Sequence, residues 1–444
     1  MKIASVFLTR LSLCGIKNIE KPIEFSFYKK TINHPFDVQD YKIKAIYGEN
    51  GSGKTAVVTA VKMLRDTILD KDYLYDSVNQ RNLAELMNKK TRSAQIEIEF
   101  VSDAERERRI YLYQLGYKIN DTNRIYISNE SLYVKHNSSK NKYTKVYETE
   151  EGELLYYSDE DKYKKCKDIT LNLLKQRSFA SFVSEFILDT ELKMSGMELL
   201  HMLALFTFAM HISVYIDKAD DHRRYVSDLL LSELKNNKIS DSGEIVDAAL
   251  LSVYSFNASE KTIISKQYIR QYEENVSRMF SFVKMFKADL QRIKVDKTEI
   301  DDSYLCKLVM VYGDYSIDAE YESNGIKKII GIYQCLKNAC RGDIVFIDEL
   351  DSNINDIYLN KIIEYFISYG KGQLCFTAHN LSPMSVLQNQ KMSISFISGI
   401  NTVHTWTGNG GQTPEEAYRN GFIDDSPFNV DASDFLGILG GEDE

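Results

Sequence analysis

The 444-residue sequence contains only five prolines and one tryptophan, and no low-complexity segment or internal repeat interrupts it. With 43% hydrophobic residues, this composition favours a well-packed globular chain of two or three average domains, or one domain with a large insertion. Six cysteines are scattered without CxxC pairs or cysteine and histidine clusters. That spacing argues against a zinc site or a disulfide framework, and it favours buried thiols in a reducing compartment.

A signal peptide is also lacking. Met1 to Arg10 has neither a long apolar core nor a small-residue cleavage site, so it is predicted to form a first strand and indicates a cytoplasmic protein. One stretch, Leu199 to Ile216, contains no charged residue over a length close to that of a membrane span. Its polar residues, such as His201 and His211, favour a buried helix from Met197 to Ile216 over the alternative of a membrane span.

Basic residues are in deficit, because 64 acidic residues exceed 55 lysines and arginines and give a net charge of −9. A surface built to neutralise many phosphates is therefore not implied. Nucleic acid stays possible as a partner through a local basic patch.

The sequence does contain Gly48-Glu49-Asn50-Gly51-Ser52-Gly53-Lys54-Thr55, which matches the phosphate-binding P-loop at every defined position. A predicted strand precedes it at 42–47, and a helical apolar pattern follows it at 56–69. In such loops successive N–H groups point at one phosphate chain, and the helix N-terminus adds partial positive charge. Lys54 would reach the β- and γ-phosphates and Thr55 would hold Mg²⁺. The motif therefore predicts a bound nucleoside triphosphate with Mg²⁺.

Two acids end an apolar strand far downstream of the P-loop. Ile344 to Ile347 is predicted to be buried, and Asp348 and Glu349 follow it. In P-loop enzymes an acid at the first of these places holds Mg²⁺, directly or through water, which is the role predicted for Asp348. The next carboxylate, Glu349, is the candidate that polarises the attacking water. Taken alone, such a pair is as often structural as functional.

His379 ends the next predicted strand, 373–377. Open α/β sheets place ligands at that edge, so His379 is a candidate contact to the γ-phosphate or to the catalytic water. A lone histidine is more often a structural residue, and here the neighbouring motifs favour the functional interpretation. Ser323-Asn324-Gly325 precedes a predicted helix, 326–339, and forms a second anion-binding corner. In isolation such a triplet is usually a turn.

The sequence between these motifs shows two different hydrophobic patterns. Alternating segments at 95–100, 109–113, 124–127 and 131–134 predict an antiparallel meander beside the nucleotide-binding sheet. Helical periodicity then predicts helices at 171–189, 197–216, 224–236, 244–255 and 259–287. The two ends of the chain are expected to meet in one sheet, with the helices between them projecting outward.

Together these motifs resemble the ABC-type ATPase heads of the SMC, RecF and OLD-like group, and more narrowly the ATPase components of PARIS-type and AbiL-type phage-defence systems. The resemblance covers about residues 1–165 and 300–430. Its motifs are Gly48 to Thr55 as Walker A, Ser323 to Gly325 as a reduced signature, Ile344 to Glu349 as Walker B, Asp351 as the D-loop and His379 as the switch histidine. The segment 11–25 is similar to the first hairpin of such heads, and Gln176 is the candidate for the Q-loop glutamine.

The resemblance implies an α/β fold, a P-loop ABC-type ATPase head with a mixed sheet, an antiparallel β subdomain and a helical insertion. The expected division is 1–165 and 301–410 for the two halves of the head, 166–300 for the helical insertion and 411–444 for an acidic tail. It also implies that two heads sandwich two ATP molecules, with Ser323 of each head touching the nucleotide held by the opposite P-loop.

The function expected from the resemblance is ATP-driven control of a partner effector in phage defence. OLD nucleases carry a Toprim domain after the ATPase, and the tail here is too short for one, so a Toprim-type nuclease effector is expected as a separate chain. The alternative is a RecF-like DNA-binding ATPase in repair, and a non-catalytic scaffold is the remaining class.

Overall fold

The computed structural model describes residues 5–29, 32, 36–104, 107–136, 142–186, 197–216, 256, 258–408, 411–424 and 426. The helices predicted at 224–236 and 244–255 lie outside these residues. Within them the chain is a mixed α/β protein.

The strands in chain order are β1 (Ser5–Cys14), β2 (Ile23–Ser26), β3 (Ile43–Tyr47), β4 (Ser93–Ala104), β5 (Glu107–Ile119), β6 (Ile125–His136), β7 (Thr144–Glu150), β8 (Glu153–Tyr157), β9 (Ile212–Tyr215), β10 (Thr262–Ser265), β11 (Arg292–Ile300), β12 (Ser303–Val311), β13 (Ser316–Asp318), β14 (Ile344–Ile347), β15 (Gln373–Thr377), β16 (Ile394–Ile397) and β17 (Val403–Thr405). The helices are α1 (Lys54–Leu69), α2 (Ser77–Leu86), α3 (Glu160–Ile169), α4 (Phe179–Phe186), α5 (Met197–Met210), α6 (Ile269–Val283), α7 (Asn324–Arg341), α8 (Asp356–Tyr369), α9 (Ser382–Leu387) and α10 (Pro414–Arg419).

A six-stranded sheet forms the centre, in the order β17-β16-β3-β15-β14-β9. Its strands β16, β3, β15, β14 and β9 run parallel, and β17 pairs antiparallel at one edge. Every residue of β3, β14 and β15 is buried, as expected for parallel strands covered on both faces. The two ends of the chain therefore meet in one sheet, as the sequence predicts.

A seven-stranded antiparallel sheet, in the order β2-β1-β4-β5-β6-β7-β8, lies beside this centre. The antiparallel pairings of β4 with β5 and of β5 with β6 confirm an antiparallel meander. The segments predicted as separate strands at 124–127 and 131–134 form one continuous strand, β6, so that part of the prediction is wrong. A smaller sheet, in the order β10-β12-β11 with β13 also paired to β12, lies later in the chain.

The two faces of the central sheet belong to two hydrophobic cores, since successive side chains of a strand point to opposite faces. Ile344 and Phe346 of β14 pack in the core that contains the buried face of α1. Val345 and Ile347 pack in the other core, which contains the buried face of α7. Helices α1 and α7 therefore cover opposite faces of the sheet.

The prediction of one helix from Met197 to Ile216 is wrong. Helix α5 ends at Met210, and Ile212 to Tyr215 forms β9, an edge strand paired parallel with β14. The β-branched Ile212 and Val214 are well suited to a strand, and pairing with β14 outweighs the helical pattern. Among the residues that the structure describes, no helix is long and apolar enough to cross a membrane.

The region predicted to be helical, 166–300, also holds other strands. The segment 259–287, predicted as one helix, contains strand β10, then a short 3₁₀ helix at Lys266–Tyr268, and becomes α-helical only from Ile269. Strand β11 follows as the partner of β12. Of the helix predicted at 171–189, residues 171–186 form turns followed by α4, and 187–189 lie outside the described residues. Short strands that pair with distant segments produce only a weak alternation of hydrophobic residues in the sequence. The sequence of this region therefore predicts more helix than the structure contains.

Candidate nucleotide-binding site

The P-loop connects β3 to α1, in the strand, loop and helix order that its motif requires. Two glycines are demanded by the local geometry. A Cβ atom on Gly48 would lie 2.3 Å from the carbonyl oxygen of Ile397, and Gly53 has φ +109°. Side chains are rarely tolerated at either position, so the loop backbone stays close to its neighbours and leaves its inner face to a ligand.

The start of α1 offers hydrogen-bond donors. The N–H groups of Lys54 and Thr55 open the helix and have no intrahelical acceptor. The Ser52 hydroxyl is buried and has no hydrogen-bond partner within the described part of the chain. An orphaned hydroxyl beside free helix N–H groups fits an anion of several oxygens, and the P-loop residues therefore suit a phosphate chain.

Lys54 lies folded over this loop. Its buried Nζ donates to the carbonyl oxygens of Gly48 at 2.8 Å and of Glu49 at 2.9 Å. An ammonium group has three N–H donors, so one more acceptor can be bound. Burial lowers the pKa of Lys54, and the negative charges of Glu349 and Asp348 oppose this change. The acids predicted from the distant Walker B segment therefore lie near the P-loop lysine.

Asp348 is held by a threonine of the neighbouring strand. Thr377, at the end of β15, donates its hydroxyl to Asp348 Oδ1 at 2.6 Å and accepts the N–H of Glu349 at 2.7 Å. Thr377 is fully buried and Asp348 is nearly so. One carboxylate oxygen of Asp348 is thus fixed by this bond, which orients the group that was predicted to hold Mg²⁺. No sequence pattern predicts this role for Thr377, because a threonine ending a strand is common.

Glu349 adopts a strained backbone conformation, with φ +48°. Side chains other than glycine reach this left-handed region at a cost of about 1–2 kcal/mol. Its carboxylate Oε1 lies 3.9 Å from Nε2 of His379, and the two side chains are 47% and 43% exposed. This distance exceeds that of a hydrogen bond, so both groups keep the capacity to bind the same water or phosphate oxygen.

Asp351 positions the loop that carries His379. Its Oδ2 accepts the backbone N–H groups of His379 at 2.8 Å and Asn380 at 2.6 Å. The segment after β14 is therefore tied to the segment after β15. The structure brings Lys54, Asp348, Glu349, Asp351 and His379 together at the carboxyl edge of the sheet, where open α/β sheets place their ligands.

The triplet Ser323-Asn324-Gly325 begins α7 on the other face of the sheet. The Ser323 hydroxyl caps the helix by accepting the N–H of Ile326 at 3.4 Å. A Cβ atom on Gly325 would lie 2.6 Å from the carbonyl oxygen of Asn353, so this glycine permits close contact with the loop after Asp351. Within the described ranges, no hydrogen bond or ion pair links the triplet to residues 48–55 of its own chain.

Gln176 is not brought to this site, which corrects its assignment as a nucleotide contact. Ser178, two residues further, donates to the carbonyl oxygen of Thr67 near the end of α1. Thr67 lies about 20 Å along the helix from Lys54, at 1.5 Å per residue. A glutamine side chain cannot cover that distance.

Strand β9, which the sequence pattern does not predict, ends beside Asp348. The carbonyl oxygen of Tyr215, its last residue, accepts the N–H of Asp348 at 2.9 Å. Lys328 of α7 is buried, donates to the carbonyl oxygen of Asp348 at 3.2 Å and lies 4.5 Å from the centre of the Tyr215 ring. Residues that follow Tyr215, such as Ile216, are therefore placed at the ligand edge, and Asp217 lies outside the described residues.

A second cation reaches the site from the turn between β1 and β2. Burial lowers the pKa of Lys17, and the charge of Asp348 opposes this change, so the two groups are neighbours. Asn18, the next residue, donates its side-chain amide to the carbonyl oxygen of Gly51 in the P-loop. No local sequence pattern predicts a role for Lys17, because its proximity to Asp348 arises only in the folded chain.

Comparison with models of protein families finds no family that matches this chain, and a search among curated proteins finds no match. The functional argument therefore rests on the motifs and on the geometry of this site.

Proposed function

We propose that this chain is an ATPase head of the ABC type, similar to the SMC, RecF and OLD-like group, which binds ATP with Mg²⁺ and hydrolyses it. One observation carries the proposal. Lys54, Asp348, Glu349 and His379 come from three separate segments and converge at the carboxyl edge of one parallel sheet. A P-loop lysine, two acids after a buried strand and a histidine after the next strand are the groups that phosphoryl transfer to water requires.

Each group has a role in this proposal. The N–H groups at the start of α1 and the Lys54 ammonium bind the β- and γ-phosphates, and Thr55 and Asp348 would hold Mg²⁺. The ion supplies neutralisation of the phosphate charge when bound. Glu349 accepts a proton from the attacking water as the water oxygen bonds to the γ-phosphorus and the bond to ADP breaks. His379 donates to the γ-phosphate or orients that water. Its loop is held by the hydrogen bonds that Asp351 accepts.

The placement of Ser323 supports a site shared between two copies of the chain. The Ser323 corner and the P-loop begin helices α7 and α1, which cover opposite faces of the sheet, and within the described residues no hydrogen bond joins the two. In the proposed dimer each Ser323 corner binds the nucleotide held by the partner. ATP binding then favours the closed dimer and hydrolysis reopens it, a two-state change that could act on an attached protein.

The test of the dimer is the mass of the full chain in solution, with and without ATP and Mg²⁺. Wild type and Glu349→Gln are expected to be monomeric without nucleotide, and the variant is expected to accumulate as a dimer with ATP. Ser323→Arg should retain ATP binding and fail to dimerise, while Ser385→Arg, at an exposed serine of α9, serves as the control. ATP-independent mass in every protein would contradict the shared site.

Control of an effector in phage defence is the part of the proposal that comes from resemblance. Co-purification with the product of the neighbouring gene, gained or lost with ATP, would support it. ATP turnover stimulated several-fold by DNA without such a partner would favour the RecF-like alternative instead.

A further inference from the structure

Three cations lie together in the groove between α6 and α7, away from the candidate nucleotide site. Lys337 of α7 donates to Asn275 Oδ1 of α6 at 3.3 Å. Arg341 lies four residues after Lys337, and Arg278 lies three residues after Asn275, so each arginine shares a helix face with one member of that contact. The rings of Phe282 and Tyr333, with centres 5.4 Å apart, hold the same two helices together.

Among the described residues, no carboxylate pairs with this group. In the portion of the chain covered by the structure, Arg278, Lys337 and Arg341 form no ion pair. The acids nearest to them in sequence are bound elsewhere, Glu273 to Lys297, Glu274 to Arg270 and Asp343 to His211. Burial, together with the positive charges of Arg341 and Arg278, lowers the pKa of Lys337 to about 8. The three positive charges therefore repel one another, and no acid of the described ranges pairs with them.

A buried amide donor in this groove, Asn275 Nδ2, lacks a hydrogen-bond partner within the described residues. Asn275 is only 1% exposed, and its Nδ2 has no hydrogen-bond partner among the residues that the structure places. The bond from Lys337 fixes Oδ1 as the acceptor, so Nδ2 is the unsatisfied donor of the same amide, beside the ammonium group. Buried polar groups are rarely left without a partner, and each exception calls for a ligand, water or ion.

We propose that the groove between α6 and α7 binds a small phosphate-bearing anion through Arg278, Lys337 and Arg341. Two guanidinium groups can each bind a phosphate through two parallel N–H bonds, whereas a carboxylate has only two oxygens to share among three cations. The groove lies at the opposite end of α7 from Ser323, about 25 Å along the helix. It is therefore a site separate from the P-loop.

The experiment measures pyrophosphate binding by calorimetry on the full chain carrying Lys54→Ala, which weakens binding at the P-loop. One saturable site is expected to remain. Arg278→Gln and Arg341→Gln, each on this background, should raise the dissociation constant by about tenfold or more. Both side chains are exposed, so folding should be retained and is checked by circular dichroism.

Two controls decide the interpretation. Lys89→Gln removes an exposed lysine that pairs with Glu85, and it should leave the dissociation constant unchanged. Arg341→Lys keeps the charge but loses the two parallel N–H bonds, so its dissociation constant should lie between those of the Lys54→Ala background and Arg341→Gln. Equal pyrophosphate affinity in all variants would overturn the proposal. Displacement of pyrophosphate from this groove by a 20-nucleotide single strand, with high affinity, would assign the phosphate to nucleic acid and overturn the small-ligand assignment.

Discussion

Replacing Glu349 with glycine should make the protein more stable and less active. The residue has φ +48°, a conformation that costs a residue with a side chain about 1–2 kcal/mol. Glycine removes that cost but loses about 0.5–1 kcal/mol through the larger entropy of the unfolded chain. The expected net effect is an increase of about 0.5–1 kcal/mol in the free energy of unfolding. Strain of this kind is retained where function requires the side chain.

The assay combines urea unfolding with phosphate release from ATP, for Glu349→Gly and for a matched control. Asp301 is an acid with φ +49° in the turn between β11 and β12, so Asp301→Gly relieves a similar conformation away from the site. The control should change stability by a few tenths of a kcal/mol, because Asp tolerates this conformation better, and it should leave turnover unchanged. Glu349→Gly should lower turnover by about 10²- to 10⁴-fold. A variant that is less stable than wild type, or equally active, would refute the idea that Glu349 is strained for catalysis.

Three further predictions concern buried groups. Thr377→Val should lower the free energy of unfolding by about 1–3 kcal/mol, because it leaves the Glu349 N–H without its acceptor. It should also reduce ATP turnover up to about 100-fold, because Asp348 is no longer held in position. Unchanged turnover would contradict the positioning role of Thr377. Lys54→Ala should raise the dissociation constant for ATP by about tenfold or more in equilibrium binding, and unchanged affinity would contradict the P-loop assignment. Burial lowers the pKa of Lys44 to about 8, so between about pH 8 and 10.5 the folded state binds fewer protons than the unfolded state, and the free energy of unfolding increases as the pH rises. Lys44→Met should remove roughly 3 kcal/mol of that increase. Identical pH profiles of wild type and Lys44→Met in urea unfolding would contradict this prediction.

The residues of the candidate site could be predicted from the sequence because they belong to short motifs of consecutive residues. The P-loop, the acids after β14 and the histidine after β15 each lie at the end of a strand, and parallel strands place such ends at one edge. For the same reason the sequence predicted that distant segments of the chain meet. Asp351 was identified as a motif residue, but its hydrogen bonds to the loop of His379 could only be seen in the structure.

The failures have a common physical cause. Strand β9 is four residues long and follows α5 directly, so its local pattern continues that of the helix, and only its pairing with β14 distinguishes it. Lys17, Thr377 and Lys328 were missed because their roles depend on contacts between elements that are distant in sequence.

The central claim is that Glu349 completes an ATP-hydrolysing site. The most direct measurement is phosphate release at saturating ATP and Mg²⁺ by the full chain, for wild type, Glu349→Gln and Glu364→Gln. Glu364 is an equally exposed acid, 46% against 47%, on the surface of α8. The account predicts turnover in wild type and in Glu364→Gln and a loss of about 10²- to 10⁴-fold in Glu349→Gln. Equal rates in all three proteins, or no turnover in wild type while ATP is bound, would contradict it.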